Sequence, residues 1–257
     1  LINNTVITST INSRENDINI DVKNQLTNNN LISAAGNLDI KARKITNNQN
    51  AVIRGAAVKI SAKDIVNKGE LRQNTAKLGE SVDRAREISI DIQNGTFTNT
   101  GIVSGYNVKI SGNGFVLNDK NGKIEASTED YPLGMGSIDI DIRTLENKGI
   151  IQSYGEGLQN NITINTETLT NAFGAKIVAK MGTLKITSTV GDLLNSGEFF
   201  ADKDLVLLAT KGNIKNSGLI GGNNITATAE KGLFENYGKV AAVGKLMIHV
   251  NNLINAG

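Results

Sequence analysis

Apolar residues recur along this chain in two interleaved patterns that together predict a coil. In the first, an aliphatic or aromatic residue stands two positions before an asparagine, usually with glycine and further apolar residues just after. Phe97-Thr-Asn99-Thr-Gly101-Ile102-Val103, Leu145-Glu-Asn147-Lys-Gly149-Ile150-Ile151 and Ile214-Lys-Asn216-Ser-Gly218-Leu219-Ile220 are examples. In the second, aliphatic and polar residues alternate, as in Leu38-Asp-Ile40, Val58-Lys-Ile60, Ile88-Ser-Ile90-Asp-Ile92, Ile138-Asp-Ile140-Asp-Ile142 and Ile162-Thr-Ile164. Strict alternation marks a strand buried on one face.

The anchor asparagines are Asn3, Asn28, Asn47, Asn67, Asn99, Asn118, Asn147, Asn171, Asn195, Asn216, Asn236 and Asn255, separated by 25, 19, 20, 32, 19, 29, 24, 24, 21, 20 and 19 residues. A floor near 19 with longer excursions is expected of one repeating unit that tolerates insertions in one loop. Each unit then holds a strand ending at the anchor, a second just after the glycine, and the alternating third. Three short strands and three turns in about 19 residues make one triangular coil of a parallel β-helix. Residues 1–257 read as a single all-β repeat domain of about 11–12 coils, a rod of roughly 50–60 Å at about 4.8 Å per coil. The period excludes the longer helical repeats, and the signature of leucine-rich repeats is missing.

Stacking also gives the anchors a role. An asparagine tolerates turn geometry and satisfies turn backbone groups, and identical amides one strand spacing apart can hydrogen-bond along the axis. None of the twelve anchors is Asp, as expected where stacked carboxylates would repel one another by about 3.5 kcal/mol at an effective dielectric of 20. On the outward side of the third strand, Asp39, Lys59, Asp91, Lys109 and Asp139 alternate in sign, which predicts attraction between neighbouring coils.

Composition agrees with a thin aliphatic core. Aromatics make up 4%, with one proline, no tryptophan and 27 glycines. Without cysteine there are no disulfides and no thiolate metal sites. A formal charge of +2 gives no reason to expect nucleic acid or an anionic membrane as partner. No run reaches the roughly 18 apolar residues of a spanning helix, no signal peptide opens the chain, and the pattern reads as a segment of something longer.

The motif apolar-x-Asn-x-Gly-apolar-apolar, followed by alternating aliphatics, resembles the haemagglutinin repeats of large bacterial exoproteins exported by two-partner secretion, which include filamentous haemagglutinin adhesins and contact-dependent growth-inhibition effectors. The likeness covers the whole chain. It implies a right-handed β-helical filament, secreted through an outer-membrane partner to the bacterial cell surface. There it would mediate adhesion or carry a toxin toward a neighbouring cell, and meet a host or neighbouring-cell receptor or glycan. Neither a secretion-domain motif nor a Val-Glu-Asn-Asn boundary is present, so the resemblance attaches to the filament alone.

Candidate chemistry is sparse, and neither a cofactor nor a metal is expected. The single histidine, His249, falls on an outward position, and Gly134-Met-Gly136 and Gly155-Glu-Gly157 lack the third glycine and following helix of a dinucleotide site. A polysaccharide lyase or hydrolase on the same fold is the alternative reading; it needs clustered carboxylates, for which Asp139 and Asp141 are candidates.

Insertions are expected between the second and third strands after Asn3, Asn67, Asn118 and Asn147. That over 72–87 spaces Leu78, Val82 and Ala85 as in a short helix, with a Glu80–Arg84 pair. That over 127–137 carries Tyr131 beside Pro132, and Tyr154 follows at the same corner of the next coil. The two tyrosines are a candidate partner contact, against a corner that merely tolerates extra residues. Val206 and Leu208 either form an outward apolar patch or are buried by a local register change.

Overall fold

In the computed structural model the described residues are 2–74, 87–126, 136–154 and 160–257. Among them there are strands and no helix, and the paired strands run parallel in a β-solenoid of about eleven turns. The three faces follow from the register. The alternating strands stack with Leu38 beside Val58 and Ile40 beside Ile60, continuing through Ile90, Ile110, Ile140, Ile164 and Ile186. Second strands stack as Leu31–Ala34, Val52–Gly55 and Glu70–Gln73, on to Lys239–Ala242. Anchor strands stack asparagine on asparagine.

Alternation explains which residues fill the interior. Every second side chain of a strand points inward, and one buried cluster runs from Ile7 to Phe234. Its widest side chains are Phe97, Phe199 and Phe234, all on the anchor and second strands. The last inward position of the second strand is small, with Ala34, Gly55, Gly105, Ala126, Ala179 and Ala201, because the chain turns a corner there and the interior narrows. A coil of this kind exposes most of its apolar surface when alone; stacking covers it and completes the backbone ladder, so stability belongs to the array.

Four expectations change in detail. The first anchor is not Asn3: the register pairs Ile7 with Asn28, so a buried isoleucine occupies the anchor position of the opening coil and that coil needs no insertion. Asp91 does not belong to the row of Asp39 and Lys59. The partner of Lys59 is Ser89, and Asp91 stands between Ser61 and Ser111 in the neighbouring row; two extra residues between Ile92 and Thr96, relative to Ala62 and Asp64 one coil below, cause the shift. Within the row, Lys59 does lie beside Asp39 and Lys109 beside Asp139, while the ion pair of Asp39 is with Lys41 on its own strand at 3.6 Å. Finally, third and anchor strands are often one bent strand, as in Asn37–Asn47 and Ile138–Asn147, so that corner costs little ladder. Val206 and Leu208 point outward, half-buried, beside Lys185 and Thr226 and beside Thr187 and Thr228 respectively.

Candidate functional site

Ten hydrogen bonds join eleven anchors into one line. Asn28 Nδ2 donates to Asn47 Oδ1 at 2.9 Å, Asn47 to Asn67 at 2.9 Å and Asn67 to Asn99 at 2.8 Å. The line continues through Asn118, Asn147, Asn171, Asn195, Asn216 and Asn236 to Asn255, with every link between 2.7 and 2.9 Å. Asn28 to Asn195 are essentially sealed from solvent. Its direction is set by the backbone. Each amide nitrogen has a second proton, and from Asn28 to Asn216 it reaches a carbonyl at the start of the next second strand, as in Asn67 to Ile102 O at 3.1 Å, Asn118 to Ile150 O at 3.1 Å and Asn195 to Leu219 O at 3.0 Å. Turning an amide over would set oxygen against oxygen.

The glycine two residues after the anchor has a steric reason. A Cβ on Gly101, Gly218 or Gly238 would fall against the carbonyl oxygen of Gly69, Gly197 or Gly218 respectively, one coil below. Carbonyl and Cα approach so closely because the ladder draws adjacent corners together. Where the corner is two residues longer, a turn forms instead: Ala51 N–H donates to Asn48 O, Gly122 to Asp119 O and Ala175 to Ala172 O.

Polar residues that the sequence reading missed close the remaining corners. Just before the third strand, Asp17 Oδ1 accepts from Asn37 N–H at 2.7 Å, Asn161 Oδ1 from Thr183 N–H at 3.0 Å and Asn224 Oδ1 from Lys245 N–H at 3.1 Å. The signal was readable, as Asn or Asp directly preceding the alternating run. Gln73 and Ser153 break the small inward position, each where an insertion leaves. Gln73 donates to Ala56 O at 2.8 Å and accepts from Tyr106 N–H at 3.0 Å, and Ser153 Oγ donates to Asn160 O at 2.6 Å. Both replace backbone pairing that the departing chain would otherwise lose.

Outward features divide along the rod. Toward the start, Lys23, Lys41, Arg43 and Lys63, with Asp21 and Asp91, line a groove of about 910 Å³, and Arg14, Arg54 and Arg72 border another of about 440 Å³. In the later coils, Lys215 bridges Asp192 at 3.0 Å and Glu235 at 3.6 Å. Burial pushes the Asp192 carboxyl up, but the Asn213 backbone N–H and the Lys215 ammonium outweigh it and hold it below the ordinary value. The hydrogen bond that the Lys215 ammonium donates to Asp192 raises the Lys215 pKa in turn.

Of the proposed contact pair, Tyr154 is half-buried with Lys180 Nζ 4.9 Å from its ring centroid, a cation–π arrangement. Tyr131 lies outside the described residues, as do Leu78, Val82, Ala85, Glu80 and Arg84. Asp139 and Asp141 are exposed on one face, beside Lys109 and Ser111 of the preceding coil, and His249 is exposed. Among the described residues no group of acidic and histidine side chains is placed to hold a metal, and no helix is long and apolar enough to cross a membrane. Comparison with protein-family models, with curated proteins and with solved structures returned no match.

Proposed function

We propose that this chain is a structural filament segment of a secreted bacterial surface exoprotein, one that presents an adhesive surface or carries a toxin to neighbouring cells. The observation that carries the reading is the unbroken asparagine line. Its links keep one length across the spacings of 29 and 32 residues as across those of 19. A molecule selected to extend along one axis needs such a register; a catalytic groove needs only a few coils. The haemagglutinin-like repeat favours the same reading and supplies the expectation of an outer-membrane secretion partner.

A direct test coats beads with the purified chain and counts adherence to bacterial and epithelial cells, against beads carrying the heat-unfolded chain. Adherence only with the folded chain is expected. Equal adherence would remove the adhesive reading, and depolymerisation of a polysaccharide by the chain would move it to the lyase or hydrolase class.

A further inference from the structure

We infer that the C-terminal coils carry a binding strip for an extended neutral glycan, running along the rod axis at the anchor corner and the second face beside it. The strip is marked at its ends by Phe173 and Tyr237 and floored by Phe200 over Gly221. It rests on the adhesive reading above and names a ligand class and a place for it.

Phe173 is the clearest observation. It tops a two-residue-longer corner, a type II turn closed by Ala175 N–H on Ala172 O at 3.0 Å with Gly174 at φ +78°. The ring is 92% exposed. The turn itself does not ask for an aromatic residue: the corresponding longer corners after Asn47 and Asn118 carry Gln49 and Lys120 at that place. Tyr237 repeats the anomaly in a short corner, 55% exposed, where the equivalent residue in the earlier short corners is Asn29, Lys68, Thr100, Lys148 or serine. In a chain with only 4% aromatics, rings held in water at one corner need another explanation than the core.

What lies between them fits a sugar chain. The register puts Tyr237 three coils beyond Phe173's coil, about 14 Å at the usual strand spacing. The intervening corners present Ser196 and Ser217, whose hydroxyls hydrogen-bond at 2.9 Å and leave lone pairs and low bulk toward solvent. Alongside, Phe200 stacks next to Gly221; a Cβ on that glycine would stand 3.0 Å from Phe200 Cδ2, so the ring face occupies a shallow step. One coil pitch is close to the length of one pyranose in an extended β-linked chain, so successive sugars meet equivalent corners. Rings stack on the apolar faces of sugars while hydroxyls meet their edges. Charge argues for a neutral ligand. Lys176 is paired with Glu198 at 3.1 Å and Lys215 with Asp192 and Glu235, leaving Lys239 at the far end; the unbalanced basic grooves lie at the other end of the rod.

The test is affinity electrophoresis of the whole chain through gels containing hydroxyethyl cellulose, galactomannan or dextran. Retardation by at least one is expected, unchanged by about 0.5 M salt, where surface charge is screened. The Phe173→Ala/Tyr237→Ala double variant, both rings being exposed, should keep the circular dichroism of the parent and bind at least about ten-fold more weakly, whereas Tyr154→Ala should bind as the parent does. No retardation by any of the three, retardation lost in salt, or an unaltered double variant would each overturn the strip. If no gel retards the chain while beads coated with it still adhere to cells, the strip fails while the adhesive filament stands.

Discussion

The two corners that flank the second strand obey different rules. At the anchor corner the chain passes from asparagine to second strand in one of two lengths, as Asn67 to Glu70 or Asn47 to Val52. At the far corner the connection runs from the tight Gly105 to Val108 up to Gln73 to Ile88. Both corners close the same coil and bury the same core. The difference lies in what is inside the bend: the anchor corner holds a continuous hydrogen-bonded column, and the far corner holds mostly small residues, with Gln73 and Ser153 bonded only locally where insertions leave. A solenoid that fixes register at one corner leaves another free to vary. The insertions use that freedom without lengthening a single link of the column.

The largest effect should come from breaking the column. Asn118→Leu removes an amide that accepts from Asn99 and donates to Asn147 and to Ile150 O. Three buried polar groups lose partners at roughly 1–3 kcal/mol each, so thermal or urea unfolding should show a loss of at least about 3 kcal/mol. Asn118→Asp sharpens the point. Its carboxylate would face the Asn147 and Ile150 oxygens, so its folded pKa rises above the unfolded value; the variant should be worst at neutral pH, regain part of the loss as pH falls through the raised folded pKa, and gain nothing more below the unfolded value of about 4. A variant as stable at pH 7 as the parent would show that the column is decoration.

Next in size is steric filling of the same corner. Gly218→Ala sets a methyl against Gly197 O, and the coils must separate; overpacking of this kind costs about 1–3 kcal/mol. Gly174→Ala is the companion measurement. Nothing lies within 4 Å of its Cβ position, but φ is +78°, so only the backbone objects, at about 1 kcal/mol. If the two cost the same, close stacking is not what selects glycine after the anchor. At the far corner, bridging Ala126 to Gly136 with a tight turn should change stability by less than about 1 kcal/mol, since closure entropy varies slowly with loop length.

The same contrast explains what could be read in the sequence. A column that repeats one residue type in one place leaves a sequence signature, and the eleven asparagines from Asn28 onward were legible for that reason. Asn3 misled because the opening coil has a strand of the right composition but caps the column with Ile7, an apolar residue that no motif search would choose. The third-strand rows were legible inside a coil, where alternation fixes inside and outside. They were less so between coils, where two extra residues between Ile92 and Thr96 displaced Asp91 by one row. Gln73 and Ser153 were invisible because their partners are backbone groups whose need arises only after the chain has folded around the insertion. Phe173 and Tyr237 stand where other coils carry polar corner residues, a departure that stands out only once the corners are aligned and the rings are seen to be exposed.

The smallest expected effect separates the interior column from the polar surface beside it. Asp192 gathers Asn213 N–H at 2.8 Å and Lys215 at 3.0 Å, and its folded pKa lies below the ordinary 3.8. A depressed carboxyl contributes stability above the unfolded pKa and loses it as pH falls through the folded one, so the stability of the parent should decline below about pH 4. Asp192→Asn keeps an oxygen for Asn213 but gives up the charge. Its pH profile should be flatter in that window, and the difference from the parent should shrink in high salt because the pair is solvent-facing. A slope that survives the substitution would belong to other carboxylates. A difference indifferent to salt would place Asp192 with the buried column, and the division between a register-setting interior and an adjustable surface would have to be redrawn at this corner.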